Sequence, residues 1–462
     1  MKKLGLVALM AAVVLASGTM SANAADLGGN CCADLEERIA ELEATTARKG
    51  NRKVSLTVSG WVVQQLTFWD DGVEKNAYVT DAGTTLASHV KFTGSAQINS
   101  DWSAGYVLQI EGISNDPLFV NQGTSNAGRG VGVLQSFWFV KSNTLGKLSI
   151  GQQSSAADNV AILPDGSGSL VPANYVLFDN NSFGLRVTKL TAGGTTLTFP
   201  DKPLADSPSG FGTKGKFTWG QLATCPGIQI GVSADCDGVP NNNIRYDTPA
   251  LAGFSGSASW GEDDIWAVAG RYAADYSHYK VSAAIAYTES TNTTRQTGFT
   301  GDTLRVKGSA IQLGAYIQHV PTGLFVYGAY GKDFNDVYTD AAVLASIIGP
   351  KKDGDNFYLK GGIRQKWSPL GHSVLYGEYG ENRDKQSIDL YDTAAVGLVA
   401  FTGSNITQWG VGYVQEIDAA AMSLWVTYRH FDAEAKFQSA FGPGTIDFES
   451  LDLVKVGGLI NF

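Results

Sequence analysis

Val54-Ser55-Leu56-Thr57-Val58-Ser59-Gly60-Trp61-Val62-Val63-Gln64-Gln65-Leu66-Thr67-Phe68 is the stretch on which the fold turns. Val54, Leu56, Val58, Val62, Leu66 and Phe68 occupy even positions, and Ser55, Thr57, Ser59, Gln65 and Thr67 odd ones. Successive side chains of a strand point to opposite faces, so this segment extends with one apolar face and one face of hydroxyls and amides. The pattern recurs downstream. Val90, Phe92, Ala96 and Ile98 oppose His89, Lys91, Thr93, Ser95, Gln97 and Asn99, and then Trp102, Tyr106, Leu108 and Ile110 oppose Ser103, Gln109 and Glu111.

Alternation alone suits a soluble sandwich as well as a membrane barrel. Three features favour the barrel. Aromatics gather at strand ends (Phe68-Trp69, Trp102, Trp138, Trp260, Trp266, Tyr276, Tyr287, Trp367, Tyr376, Trp409, Tyr428), where girdles at two membrane interfaces would stand. Connections alternate between tight ones, such as Asn99-Ser100-Asp101 and Asn143-Thr144-Leu145-Gly146, and long ones, such as Ser154 to Asp179. The chain also ends on Val454-Lys455-Val456-Gly457-Gly458-Leu459-Ile460-Asn461-Phe462, an apolar-faced strand closing on an aromatic that reads as an outer-membrane assembly signal. Only 17% of residues are charged, below the ~25% of ordinary soluble domains. The mature chain holds no apolar run near the ~18 residues of a spanning helix, so any crossing is made by strands. The expected fold is all-β: a transmembrane antiparallel β-barrel over 53–462. At about 9 to 11 residues per crossing it has about 16 strands, and a barrel of that size is hollow.

Before the barrel the character differs. Met1 to Ala24 has Lys2 and Lys3, an apolar stretch from Leu4 to Ala16 and an Ala22-Asn23-Ala24 cleavage site, the pattern of a removable export signal. The signal holds two of the 34 basic residues and none of the 44 acidic ones, so the mature balance is −12, which disfavours nucleic acid as a partner. Residues 25–52 read as a periplasmic segment with a short helix from Asp34 to Arg48, capped by Asp34 and Glu37, with Leu35, Ile39 and Leu42 on a coiled-coil-like seam. That helix suits either self-association, as in a trimeric coil, or packing on its own barrel. Cys225 and Cys236 bracket a turn-rich segment and are the preferred disulfide. Adjacent Cys31 and Cys32 are either free thiols or bonded between subunits.

Several stretches resemble the alphaproteobacterial porins: Cys31-Cys32-Ala33-Asp34-Leu35-Glu36-Glu37-Arg38, Arg48-Lys49-Gly50-Asn51-Arg52-Lys53-Val54-Ser55-Leu56, and Asn243-Ile244-Arg245-Tyr246-Asp247-Thr248-Pro249 with Gly253-Phe254-Ser255 and Ser259-Trp260-Gly261-Glu262-Asp263-Asp264. The likeness extends from Ala25 to Phe462. It implies a trimeric general-diffusion porin of the bacterial outer membrane: three 16-stranded barrels among outer-membrane lipids, delivered by the barrel-assembly machinery and passing small hydrophilic solutes and ions. In such proteins the third outer loop folds inward, and Ser154 to Asp179 matches it in place and length.

Catalytic chemistry is not legible. Gly210-Phe211-Gly212-Thr213-Lys214-Gly215 fits a dinucleotide fingerprint, but a strand-like stretch follows where a helix is needed. The five histidines never take metal-ligand spacing, and Asp235-Cys236-Asp237-Gly238 lacks the remaining ligands of a calcium loop. Neither a metal nor a cofactor is expected. His430 near Asp432 is the best start for a barrel enzyme, but no serine partners it; a substrate-specific channel is the closer alternative. Alternation puts Lys91, Arg245, Arg271, Lys280, Lys360, Arg364, Lys366, Arg429 and Lys455 on the inward face, since a cation facing lipid at mid-depth costs about 2 to 4 kcal/mol. The inward loop carries Asp158, Asp165 and Asp179 and no Lys or Arg. The expectation is a basic wall facing an acidic loop across the narrowest water-filled section, setting a transverse field there.

Overall fold

The computed structural model describes residues 54–205, 217–225, 228, 235–296, 303–337, 352–385, 390–393, 397–439 and 442–462. The export signal, Cys31 and Cys32, the helix with Leu35, Ile39 and Leu42, and the glycine motif at 210–215 lie outside them.

Among the described residues twenty-one strands form one antiparallel sheet: β1 (Ser55–Asp70), β2 (Lys75–Thr80), β3 (His89–Gln97), β4 (Trp102–Ile113), β5 (Gly130–Ser142), β6 (Gly146–Gln153), β7 (Val187–Ala192), β8 (Thr195–Thr198), β9 (Asn241–Asp247), β10 (Phe254–Gly261), β11 (Ile265–Asp275), β12 (Tyr279–Gln296), β13 (Thr303–His319), β14 (Leu324–Val337), β15 (Gly354–Ser368), β16 (Gly371–Arg383), β17 (Leu390–Thr393), β18 (Gly397–Ile417), β19 (Met422–Ser439), β20 (Gly442–Phe448) and β21 (Leu451–Asn461). Five of these, β2, β7, β8, β17 and β20, lengthen or join the connections. The other sixteen pair in sequence order, and the ring closes where β21 returns to β1, from Trp61 opposite Asn461 to Asp70 opposite Asp452. The chain is thus an all-β, sixteen-stranded antiparallel barrel.

The first strand has the phase its sequence dictates. Leu56, Val58 and Val62 stand 41, 49 and 55% exposed on the outer wall, while Val63, Gln65 and Thr67 are buried inside. Aromatics line the outside at Trp102, Trp138, Trp260, Tyr276, Trp367 and Trp409. Two expected girdle residues, Trp69 and Tyr376, instead point inward and are buried. Each has an apolar neighbour in sequence, Phe68 and Leu375, so alternation alone leaves the phase open. Register settles it: Tyr376 lies opposite Gly362 and Gly412, which leave room for its ring.

One end of the barrel has tight turns. The side-chain oxygen of Asn99 accepts from the N–H of Asp101 (2.9 Å) and Trp102 (2.8 Å), and the Ser142 hydroxyl accepts from Thr144 and Leu145. The other end carries most of the longer connections. That between β6 and β9 runs from 154 to 240, well past Asp179, and contains the β7–β8 hairpin, which docks on β20.

The apolar core lies inside the ring and to one side. Ile162, Ala173, Tyr175, Val176 and Phe178 of this connection pack against Tyr316, Tyr327, Tyr358, Val374, Tyr376, Val414 and Trp425 of the wall. Leu177, Phe183, Leu185, Trp219 and Leu222 pack against Trp69, Phe401, Phe431, Phe437 and Leu453.

The outward phase of β1 is testable at mid-strand. Val62→Arg should lower the free energy of folding into vesicles by about 2 to 4 kcal/mol, measured by urea titration. A cation already facing inward, such as Lys91, should tolerate exchange for Gln with little change.

Candidate functional site

The inward connection is fastened to the wall by the side chains that alternation turned inward. Arg245 of β9 donates to the carbonyls of Ser154 (3.1 Å) and Ser155 (2.9 Å). Arg271 of β11 donates to that of Ala156 (2.7 Å) and to the Ser257 hydroxyl. Lys360 of β15, fully buried, reaches Asp165 at 2.6 Å and the carbonyl of Ala173 at 2.8 Å. Arg429 of β19 binds the carbonyl of Asn174 (2.7 Å) and stands 3.9 Å from Asp179. Lys455 of β21 closes the series on Asp179 (2.6 Å) and the carbonyl of Pro172 (3.0 Å).

The geometry changes the meaning of the two charge sets. Asp158, Asp165 and Asp179 are all buried, and Asp165 and Asp179 touch the cations they were expected to face across water. Attraction between them has been spent on contact, because a buried carboxylate needs a partner at hydrogen-bond distance. Arg364 forms a two-point pair with Glu416 (3.0 and 2.7 Å), and Lys366 pairs with Asp418 (2.9 Å) at the tight-turn end. Lys91 and Lys280 also face inward, Lys91 between Ser59 and Gln109 and Lys280 between Asp275 and Gln318, and among the described residues neither has an ion pair within 4.0 Å or a hydrogen bond.

Other fasteners were not legible as such. The Tyr327 hydroxyl donates to the carbonyl of Ala161 at 2.5 Å, and Glu378 accepts from Arg429 (2.6 Å) and from Tyr358. Gly314 is required for close approach: a Cβ there would lie 2.2 Å from the carbonyl oxygen of Ala161. Cys225 and Cys236 are joined by a disulfide. Beside it the buried Lys385 ammonium pairs with Asp333 at 2.7 Å and stands 3.4 Å from the Cys225 Sγ.

Asp235-Cys236-Asp237 ends the inward connection in an acidic cluster with Asp158. Asp235 accepts from the Gln312 amide (2.9 Å), and Asp237 from Ser155 (2.6 Å) and Thr288 (3.3 Å). Burial pushes Asp235 up to about 6 and Asp237 up to about 7, the second helped by the charge of Asp235. Burial, then the charges of Asp235 and Asp237, hold Asp158 well above the usual carboxylate range. Arg245 and Lys385 are the cations whose fields reach the cluster.

His430 lies between Asp452 (2.6 Å) and Asp432 (3.1 Å), but on the outer face, opposite the exposed Trp409 and away from the lumen.

Two predictions follow from the fastening. Lys360→Met leaves Asp165 buried without its partner and should cost about 3 to 5 kcal/mol, read as a lower unfolding midpoint. The double change with Asp165→Asn should recover most of the loss. The acidic cluster gives the second. A carboxyl whose folded-state value is raised binds its proton more tightly when packed, so attachment is full below the unfolded value of about 4 and is lost as pH rises through 6 to 7. Amide exchange in 154–240, corrected for intrinsic rates, should therefore be faster at pH 8 than at pH 5, and Asp237→Asn should flatten that difference.

Comparison with known proteins agrees with this architecture. The model of the family described as Gram-negative porin matches residues 8–436. An anion-selective porin from Comamonas acidovorans shares the fold at 16% identity with a TM-score of 0.51, covering 88% of this chain and all of that one. OmpT of Vibrio cholerae in its trimer form gives a TM-score of 0.49 at 12% identity, covering 88% of this chain and 99% of that one. No curated protein matches the sequence. With its closed sixteen-stranded wall and a family match over most of its length, the chain belongs to the Gram-negative porins, non-enzymatic outer-membrane barrels through which small solutes diffuse passively.

Proposed function

We propose that solutes pass between the inward connection and the wall formed by β3–β6 and the tight-turn ends of β9–β12, and that this passage favours anions. One observation carries the reading. On that half of the wall Lys91, Lys141 and Lys280 have no carboxylate partner among the described residues, whereas Lys360, Arg364, Lys366, Arg429 and Lys455 on the other half are all paired. Most apolar packing of the inward connection lies on the paired half; a smaller patch sets Ala156, Ala157 and Val160 on Ala267, Ala284 and Ala286 of β11 and β12, which leaves water the face of β3–β5 and the tight-turn mouth. Unneutralised ammonium groups in a narrow, low-dielectric-walled passage raise the local concentration of anions. Asp158, Asp165 and Asp179 then act as attachment points for the constriction and not as a selectivity ring.

The finer placement in the alphaproteobacterial branch is supported by the stretches quoted above, Arg245-Tyr246-Asp247-Thr248-Pro249 among them. With it go export through cleavage after Ala24, a periplasmic segment at 25–52 and a homotrimer whose seam includes Leu35, Ile39 and Leu42. Phe462 suits an assembly signal. Its backbone completes the ring by exchanging two 3.0 Å hydrogen bonds with Gly60, while its ring stays 60% exposed and free to be recognised.

In planar bilayers under a salt gradient the reversal potential should report anion preference, and Lys91→Gln with Lys280→Gln should move it toward cations. The shift should fade near 1 M salt, where the Debye length is about 3 Å. A cation-preferring wild type would refute the reading. Deleting Phe462 should lower the amount of folded barrel in the outer membrane without slowing export across the inner one, measured by heat-dependent gel migration in fractionated cells.

A further inference from the structure

The tight-turn mouth holds a group of cations that the fastening of the inward connection does not account for. Lys141 at the end of β5 lies opposite Lys147 of β6, which lies opposite Asp247 of β9, so all three side chains share the inner face. With Ser142, Asn143, Arg245 and Thr248 they line a hollow of about 490 Å³. Lys147 and Arg245 both spend their charge on one carboxylate: Lys147 stands 3.1 Å from Asp247 and Arg245 2.7 Å. Lys141 is exposed, with no partner among the described residues. Three cations line the hollow against one lining carboxylate, with Asp101 behind Ser142 (2.7 Å) and Asn143 (3.0 Å), so its balance stays positive. Lys91 adds a fourth cation nearby, since Lys147 is the charged neighbour whose field reaches it.

We propose that this hollow is a binding station for small divalent oxyanions, the chemistry of a phosphate group, at the tight-turn mouth of the pore. The inference rests on the anion-preferring reading above and adds to it a saturable site. Two ammonium groups on flexible stems suit an oxyanion better than a single halide, because each directs three donors and the ligand's several oxygens can take one from each. The hollow's volume is at the small end of ligand sites, which run from about 300 to 1,000 Å³. Arg245 supplies field more than contact, because its guanidinium is engaged by Asp247 and by the carbonyls of Ser154 and Ser155. Asp247 limits how tightly an anion is held, so that an occupant can leave again, as conduction requires.

The test uses the full-length protein in planar bilayers, with inorganic phosphate at pH 8 added on the tight-turn side of a chloride-carrying channel held at fixed ionic strength. Phosphate should reduce chloride current along a saturating curve, and nitrate should not. Lys141→Gln with Lys147→Gln should raise the half-effective phosphate concentration about tenfold, in keeping with losing two charge contacts in a hydrated site. Asp247→Asn, which adds net charge without removing a cation, should lower it. Lys366→Gln, on the paired half of the wall, should leave it unchanged. Heat-dependent gel migration confirms that each variant is folded, and Lys141→Gln alone, which should raise the half-effective concentration by a smaller factor, serves if the double variant is not. A phosphate effect that stays linear, or that survives both lysine changes and Asp247→Asn unaltered, overturns the station even where the reversal potential still reports anion preference. A cation-preferring reversal potential overturns instead the reading on which it rests.

Discussion

Hydrocarbon offers no partner to a backbone N–H or C=O, and every other feature of this protein answers to that constraint. A sheet meets it only by closing on itself, so β21 must return to β1, which it does over ten residue pairs. With sixteen strands in the ring, the enclosed space is too wide for side chains to fill. It must be left to water or occupied by more chain. This protein does both, packing a connection into part of the lumen and leaving the rest for diffusing solutes.

The packed side shows how polar and apolar forces divide the work. Aromatic and aliphatic side chains of the connection bury themselves against wall tyrosines and tryptophans, which supplies non-directional attraction. The buried cations supply position. Lys360, Arg429 and Lys455 each combine a carboxylate with a backbone carbonyl, so each fixes one place on the connection against one strand. Such pairs add little net stability over an apolar substitute, but they penalise any other register heavily.

Fold and compartment were legible because they rest on local periodicity. The alternation from Val54 to Phe68 and the cations beside Val90, Ile244 and Leu359 gave the inward face, and the length from 53 to 462 gave about 16 strands. What local pattern cannot supply is a partner. Asp165 meets Lys360, and Asp179 meets Lys455, across hundreds of residues, so a reader of sequence sees two charge sets without knowing whether water separates them. The same limit hid the length of the inward connection. The β7–β8 hairpin exists by pairing with β20, more than two hundred residues later. The burial of Asp235 and Asp237 was equally hidden, because it depends on Gln312 and Thr288 of distant strands. Trp69 and Tyr376 misled for a simpler reason, since each has an apolar neighbour able to take the other face.

Asp179 accepts from Gln65 of β1 with one oxygen (2.9 Å) and from Lys455 of β21 with the other (2.6 Å). A single carboxylate from the middle of the chain therefore straps together its first and last strands. In kinetic terms the seam has a lock that is set from inside the lumen. The seam gains this strap only once the connection has entered, and Asp179 gains its second partner only once the last strand has arrived. Insertion of the connection thus reinforces closure of the most sequence-distant contacts of the barrel, and a chain left without the strap presents a weaker seam whose strand edges are open to other partners.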